Sequence, residues 1–254
     1  MNTTAHRLPG RTVLLTGATG GIGVAIAHRL ADEGAAVVVT DIDGDRCREL
    51  IADLPGSRQH VALELNVADE DSWMRAVAQV TTTCGGLHAV VNNGAIGSIA
   101  TVEDETLEKW NSVVAVDQTG VWLGMKHCGP LIERSGGGSV VNMCSILGTV
   151  GGLGNSIAYH AAKGAVRSMS KNAALHWAPR GVRVNTVHPG FIGTPQLLER
   201  YEGTERHRAM IEHTPMGRLG RADEIAGVVA FLVSDDSTYV TGSEIYADGG
   251  WTAD

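Results

Sequence analysis

The sequence predicts a doubly wound α/β fold, one mostly parallel seven-stranded sheet with helices on both faces. Three observations carry this. Short β-branched or apolar runs alternate with longer segments of helical periodicity along the whole chain, and such alternation implies right-handed crossovers into a parallel sheet. The apolar runs are continuous, as in strands buried on both faces. A glycine-rich turn joins the first run to the first helical segment.

The elements follow in order. Residues 12–16 form a β-branched first strand, and residues 25–33 read as a helix stopped by Gly34. Residues 36–40 are a second strand, and 43–54 are helical up to Pro55-Gly56. Residues 61–65 are a third strand, followed by a helix over 69–83 with Asp69 as its N-cap. Residues 87–91, 139–143 and 182–187 supply the fourth, fifth and sixth strands. Helical patterns cover 106–132, 156–177 and 222–233, and 244–246 is a short last strand. No linker, repeat or low-complexity tract interrupts the chain, so residues 1–254 read as a single domain. Residues 191–215 break the rhythm, being long and polar-rich after a strand. Loops at the carboxyl ends of parallel strands form the ligand crevice of such sheets, so this segment is expected to be a substrate lid.

Composition narrows the function classes. The 254 residues are 43% hydrophobic and 19% charged, which suits a globular chain with a sizeable core. The net charge of −8 and the scattered Lys and Arg residues exclude nucleic acid as a natural partner. Residues 1–11 contain no apolar stretch of the signal-peptide kind, and no apolar run is long enough to span a bilayer. Cys47, Cys84, Cys128 and Cys144 are far apart, as expected of reduced thiols in a cytoplasmic protein. The ten histidines show no ligand spacing, so no catalytic metal is expected.

Thr16-Gly17-Ala18-Thr19-Gly20-Gly21-Ile22-Gly23 links the first strand to the first helix. Glycines here allow a tight turn and close approach to a pyrophosphate, and the helix N-terminus offers free N–H groups and a positive dipole end. Gly17, Thr19, Gly20, Gly21, Ile22 and Gly23 are therefore candidate dinucleotide contacts. Asp41 ends the second strand; a carboxylate there accepts hydrogen bonds from both ribose hydroxyls of an adenosine and repels a 2′-phosphate. Ile42 follows it, and no Arg or Lys lies in the glycine loop. NAD is preferred over NADP on this reading. The loop also lacks the Lys-Ser/Thr pair of a P-loop kinase.

Tyr159 and Lys163 stand at i, i+4, on one face of a helical segment. A phenol titrates near ~10 and is a poor base at neutral pH, but a neighbouring ammonium favours the phenolate. Such a pair can take a proton from an alcohol or return one to an alkoxide. Ser145, ending the fifth strand, can hydrogen-bond the same oxygen.

With these residues in view, the chain resembles the short-chain dehydrogenase/reductase family, in its Tyr-x-x-x-Lys form. The resemblance rests on the glycine motif, Asp41, Asn92-Asn93, Ser145, Tyr159-His160-Ala161-Ala162-Lys163, and Asn185 through Thr194 with Pro189-Gly190. It implies that Tyr159 is the acid/base, that Lys163 holds the nicotinamide ribose and depresses the tyrosine pKa, and that Ser145 orients the substrate oxygen. It further implies that Asn92 lies toward the adenosine side and stabilises the sheet, and that Asn66-Val67 flank the adenine. Asn93, Gly94 and Ala95 would approach the cofactor closely, and Pro189, Gly190, Ile192 and Thr194 would wrap its nicotinamide end.

The sequence departs from the family twice. The family usually reads Asn-Asn-Ala-Gly where this chain has Asn92-Asn93-Gly94-Ala95, and an alanine at 95 would be strained if its φ were positive. The family also commonly has Asn at the position of Asp117, where it helps hold a water relay to the lysine. Asp117 falls on the apolar face made by Trp110, Val113, Val121 and Met125. A carboxylate there is expensive unless paired or protonated. Either Asp117 serves the same relay beside Lys163 with altered charge, or that relay is impaired.

The expected activity is NAD-dependent interconversion of a hydrophobic secondary alcohol, such as a cyclic alcohol or hydroxysteroid, and its ketone. Leu147, Leu153, Phe191 and Leu197, with Ser145 and Tyr159, are the expected substrate contacts; none is basic, which disfavours a strongly anionic substrate. Two rivals stand. A 3-oxoacyl-carrier-protein reductase is permitted by the resemblance but opposed by Asp41 and the net acidity. A non-catalytic NAD(H)-binding regulator is opposed by the intact Ser145, Tyr159 and Lys163. Members of the family are commonly tetramers, so a homotetramer is expected.

Overall fold

Every residue of β1 (Thr12–Thr16) is buried, because the strand lies inside a seven-stranded sheet of order β3-β2-β1-β4-β5-β6-β7. The structure, a computed structural model, describes residues 7–56 and 58–253. The other strands are β2 (Ala36–Asp41), β3 (Val61–Glu64), β4 (Ala89–Asn92), β5 (Gly138–Met143), β6 (Val182–Pro189) and β7 (Glu244–Ala247). All six pairings are parallel, so the sheet is wholly rather than mostly parallel. The strand order reverses between β1 and β4, and the crevice at that switch point is where such sheets bind ligands.

One face carries α1 (Gly21–Asp32), α2 (Gly44–Asp53) and α9 (Ala222–Val233), which share a core with the sheet through Ile26, Leu30, Cys47, Val229 and Leu232. The other carries α3 (Glu70–Cys84), α5 (Gly120–Arg134) and α6 (Ile157–Trp177), packed through Trp73, Val80, Ile132, Val166 and Trp177. Local chemistry sets the starts. Asp43 caps α2 by accepting from Asp45 N and Arg46 N, and Asp69 caps α3 by accepting from Asp71 N.

Three differences from the sequence reading exceed a residue or two at an element's end, each for a physical reason. α1 begins at Gly21, not 25, because the glycines that close the loop also form the first helical turn; a Cβ on Gly23 would come within 2.2 Å of Gly17 O. The span expected as one helix over 106–132 is α4 (Leu107–Val114), a π-helical stretch (Ala115–Thr119) and then α5. Apolar periodicity does not register one surplus residue in a turn. The expected lid loop over 191–215 holds two helices, α7 (Pro195–Tyr201) and α8 (Glu205–Glu212). Thr194 Oγ1 caps the first by accepting from Leu197 N, with Pro195 at its first position, and Thr204 Oγ1 caps the second by accepting from His207 N.

Part of the signal-peptide reading falls on residues 1–6, which lie outside the described residues. Among those described, no helix is long and apolar enough to cross a membrane.

Candidate active site

The glycine loop leaves β1 and doubles back over the ends of β2 and β4. Gly17 has φ +60, and a Cβ there would approach Gly94 Cα to 2.5 Å, so bare backbone is required at this crossing. Thr16 and Asn93 fasten it. Thr16 Oγ1 accepts from Asn93 N and Gly94 N at 2.9 Å each, while Asn93 Nδ2 donates to Thr16 O and Gly17 O. The result is a crevice of about 490 Å³ lined by Gly17, Thr19–Gly23, Asp41, Ile42, Leu65–Val67 and Asn93–Ile96, with Thr194 reaching over it. Its size, its bare glycine backbone and its opening at the N-terminus of α1 fit a dinucleotide.

Asp41 is held at the mouth of this crevice. Its Oδ2 accepts from Thr19 N (3.1 Å) and Thr19 Oγ1 (2.7 Å), and its Oδ1 from Ile42 N (2.8 Å). The sequence reading saw no cation able to meet a 2′-phosphate, and here the structure corrects it. Arg46 lines the same crevice and donates from Nη2 to Thr19 O at 2.9 Å. The signal was available: with Asp43 as N-cap, Arg46 falls in the first turn of α2.

Asn92 does not face the crevice, contrary to expectation. It is buried on the opposite side, where its Nδ2 donates to Asn142 Oδ1 at 2.7 Å and Asn142 Nδ2 donates to Ser170 Oγ at 2.8 Å. A Cβ on Gly124 would lie 2.1 Å from Asn92 Oδ1, so a glycine in α5 makes the room. Strain at Ala95 does not arise, because Ser156 is the one non-glycine residue with positive φ among those described.

A second cavity, of about 420 Å³, is continuous with the crevice through Ile22, Asn93, Ala95, Ile96 and Thr194. Ser145, Tyr159 and Lys163 line it, together with Leu147, Pro189, Gly190, Phe191, Ile192 and Leu197. Leu153 does not, because Gly152 and Gly154 on either side have φ +58 and +72 and turn the chain away. The sequence reading missed Ile96, which precedes no recognisable element, and Tyr201, Arg206 and Met210, which reach the cavity only because α7 and α8 exist.

The catalytic candidates form one group in which Ser145, Lys163 and Asp117 are buried and Tyr159 is half-buried. Lys163 Nζ donates to Met143 O at 3.1 Å, lies 5.2 Å from the Tyr159 ring centre, and is 3.4 Å from Asp117 Oδ2. Asp117 is fully buried in the π-helical stretch; its Oδ1 accepts from Ile96 N at 2.8 Å, and its Oδ2 has no hydrogen-bond partner. The ion pair is therefore the chief contact of that oxygen. Burial pushes the Asp117 carboxyl up from its usual range, against the pull of Lys163 and the Ile96 amide. Burial also works against the charge of Lys163, but Asp117 and Tyr159 outweigh it and hold the ammonium above its ordinary pKa. Tyr159 is raised, first by burial; Lys163 opposes this, while Asp117 adds to it.

Ser145 caps a short 3₁₀ turn (Ile146–Gly148), accepting from Leu147 N at 3.1 Å. His188 fixes its backbone. The Ser145 carbonyl can only accept, so His188 Nδ1 carries the proton across their 3.0 Å contact, and Nε2 faces Thr186 Oγ1 at 2.9 Å. His188 thus supports the site from behind and does not line the cavity. His160 likewise donates from Nδ1 to Ser156 O at 2.9 Å.

The chain is similar to known oxidoreductases over nearly its whole length. The family model described as enoyl-(acyl carrier protein) reductase matches residues 17–252. A 2,5-dichloro-2,5-cyclohexadiene-1,4-diol dehydrogenase of Sphingobium indicum is 39% identical over 249 residues, 98% of each chain. An NADP-dependent (R)-specific alcohol dehydrogenase of Lentilactobacillus kefiri is 40% identical, over 97% of this chain and 98% of its own. The crystal structure of a short-chain type dehydrogenase/reductase from Mycobacterium marinum superposes with a TM-score of 0.93 at 30% identity, covering 98% of both chains.

Proposed function

The chain belongs to the short-chain dehydrogenase/reductase family, and from that premise we propose that it is an NAD-dependent dehydrogenase of hydrophobic, cyclic secondary alcohols that also reduces the matching ketones. The observation that carries the reading is the placement of Ser145, Tyr159 and Lys163 in an apolar cavity continuous with the glycine-loop crevice. The cyclic diol named for the Sphingobium relative is of the chemical class these walls suit.

A nicotinamide held by Pro189, Gly190, Ile192 and Thr194 would supply the hydride acceptor. The chain's own residues handle the proton. Tyr159, as phenolate, takes the hydroxyl proton of the alcohol, and Lys163 favours that phenolate by its charge. Ser145 Oγ hydrogen-bonds the same oxygen and positions it. Asp117 keeps Lys163 charged in a buried setting while holding the Ile96 amide at the cavity wall. Leu147, Phe191 and Leu197 exclude water from the reacting carbon.

NAD is proposed because Asp41 stands where a 2′-phosphate would meet a carboxylate, and because Arg46 is already engaged by Thr19 O. A homotetramer is proposed from the exposed Trp122 on α5 and Leu175 on α6. The test is formation of reduced cofactor with NAD or NADP across secondary alcohols, cyclohexanol among them. Turnover with NAD at least ~10-fold more efficient than with NADP supports the reading. The reverse preference overturns the cofactor, and failure with every alcohol and both cofactors overturns the activity.

A further inference from the structure

We propose that Arg206 is a specificity-determining residue, and that the favoured substrates carry a carboxylate on the apolar body that bears the carbinol. The inference rests on the dehydrogenase reading and names its substrate class more narrowly. Arg206 lies in the first turn of α8 and lines the same cavity as Ser145 and Tyr159. Among the described residues only two charged side chains line that cavity, Lys163 and Arg206, and no acidic one does. Lys163 is matched by Asp117 at 3.4 Å.

Arg206 has no such match. Among the described residues it makes no ion pair, and its buried Nε has no hydrogen-bond partner. What holds it is Tyr201, whose ring centre is 5.3 Å from the guanidinium carbon; Arg200 approaches the same ring at 5.4 Å. Arg200 does not line the cavity, so Arg206 alone presents a guanidinium to it. Further along the chain Arg218 is forked onto Glu224 and Arg221 onto Asp223, the pairing that Arg206 lacks. In a chain of net charge −8, a guanidinium on an apolar cavity wall with no carboxylate beside it is an unusual donor. Guanidinium only donates, and a carboxylate meets its fork with charge-assisted bonds. The apolar walls take the ring of such a hydroxy acid, and Arg206 takes its anionic end. This revises the expectation from sequence that the pocket disfavours an anionic substrate.

The test compares kcat/KM for 4-hydroxycyclohexanecarboxylate and for cyclohexanol in the wild-type chain, R206Q, R206K and R200Q. It also measures, by calorimetry, cyclohexanecarboxylate binding to the wild-type chain and R206Q saturated with NADH or NADPH. The acid-to-neutral ratio is expected to fall ~10- to 100-fold in R206Q. It should fall less in R206K and hold in R200Q, and carboxylate binding should weaken with R206Q. An unchanged ratio, or carboxylate binding indifferent to R206Q, overturns the proposal. If the wild-type chain turns over neither alcohol, the dehydrogenase reading fails, and the calorimetric comparison still decides for or against Arg206.

Discussion

Asp117→Asn changes charge with almost no change of shape, and so isolates what the buried carboxylate does. Lys163 Nζ lies 3.4 Å from Asp117 Oδ2 and 5.2 Å from the Tyr159 ring centre. Those two legs put the carboxylate within ~9 Å of the phenol, where a unit charge at an effective dielectric near ~20 acts with about 2 kcal/mol, or about 1.4 pH units. The sign follows from the reaction. A carboxylate opposes a forming phenolate and holds Tyr159 up, and removing it lets Tyr159 ionise at lower pH. Alcohol oxidation needs the phenolate, so its rate rises as pH climbs through the pKa of Tyr159. The acid limb of kcat/KM in Asp117→Asn is therefore expected about 1 to 2 pH units lower than in the wild type. Because Tyr159 is held above the ordinary phenol value, the assay is steady-state oxidation of one alcohol from about pH 6 to about pH 11 at constant ionic strength, run on both proteins. A limb that stays put refutes the reasoning, because it means the Asp117 carboxyl is already uncharged. A limb that moves to higher pH refutes it differently: Lys163 then loses its proton without Asp117, and its charge was the quantity at stake.

Four further outcomes are expected. Tyr159→Phe should lower kcat at least ~10³-fold with cofactor binding kept, since it removes the proton acceptor alone; fluorescence titration with NADH checks the binding. Asp41→Ser should move the NAD-to-NADP preference ~10- to 100-fold toward NADP, with Arg46 the nearby cation, as read from kcat/KM with each cofactor. Glu244 is 12% exposed, and although burial would raise it, Arg167, Lys171 and Tyr246 pull it down to about 2. Its stabilisation is thus present above the ordinary carboxylate range and lost as pH falls toward about 2, so Glu244→Gln should flatten the acid limb of thermal stability and cost ~1–3 kcal/mol at neutral pH. Gly124→Ala places a Cβ 2.1 Å from Asn92 Oδ1 and should destabilise by ~1–3 kcal/mol in denaturant unfolding.

Much of this was legible in the chain. The strands buried on both faces announce themselves as unbroken apolar runs, and Asp69 was readable as the cap it is. Ser145, Tyr159 and Lys163 were found because their spacing survives folding directly, through one strand end and one helix face. Other features depend on distances that no local pattern encodes. Arg206 reaches the cavity only through the packing of α8, and Leu153 leaves it through two left-handed glycines. Asn92 was placed toward the cofactor only by the resemblance; as the last residue of β4 its side chain is spent on Asn142 of the neighbouring strand, a choice of sheet face that the motif itself does not encode. Thr194-Pro195 and Thr204 were readable helix starts inside a segment whose polarity suggested a loop.

The π-helical stretch has a bearing on how this sequence can vary. A residue in an α-helix turns the chain by about 100°, so one residue gained or lost between Ala115 and Thr119 would rotate everything beyond it by that angle. α5 cannot absorb such a rotation, since Gly120 lies against Val67 and Gly124 against Asn92, each where a Cβ would be crowded. Point changes at the surface of this helix are therefore open to drift, whereas single-residue insertions and deletions in 115–119 are closed to it. The length of that segment should be as invariant among functional descendants as the identity of Tyr159.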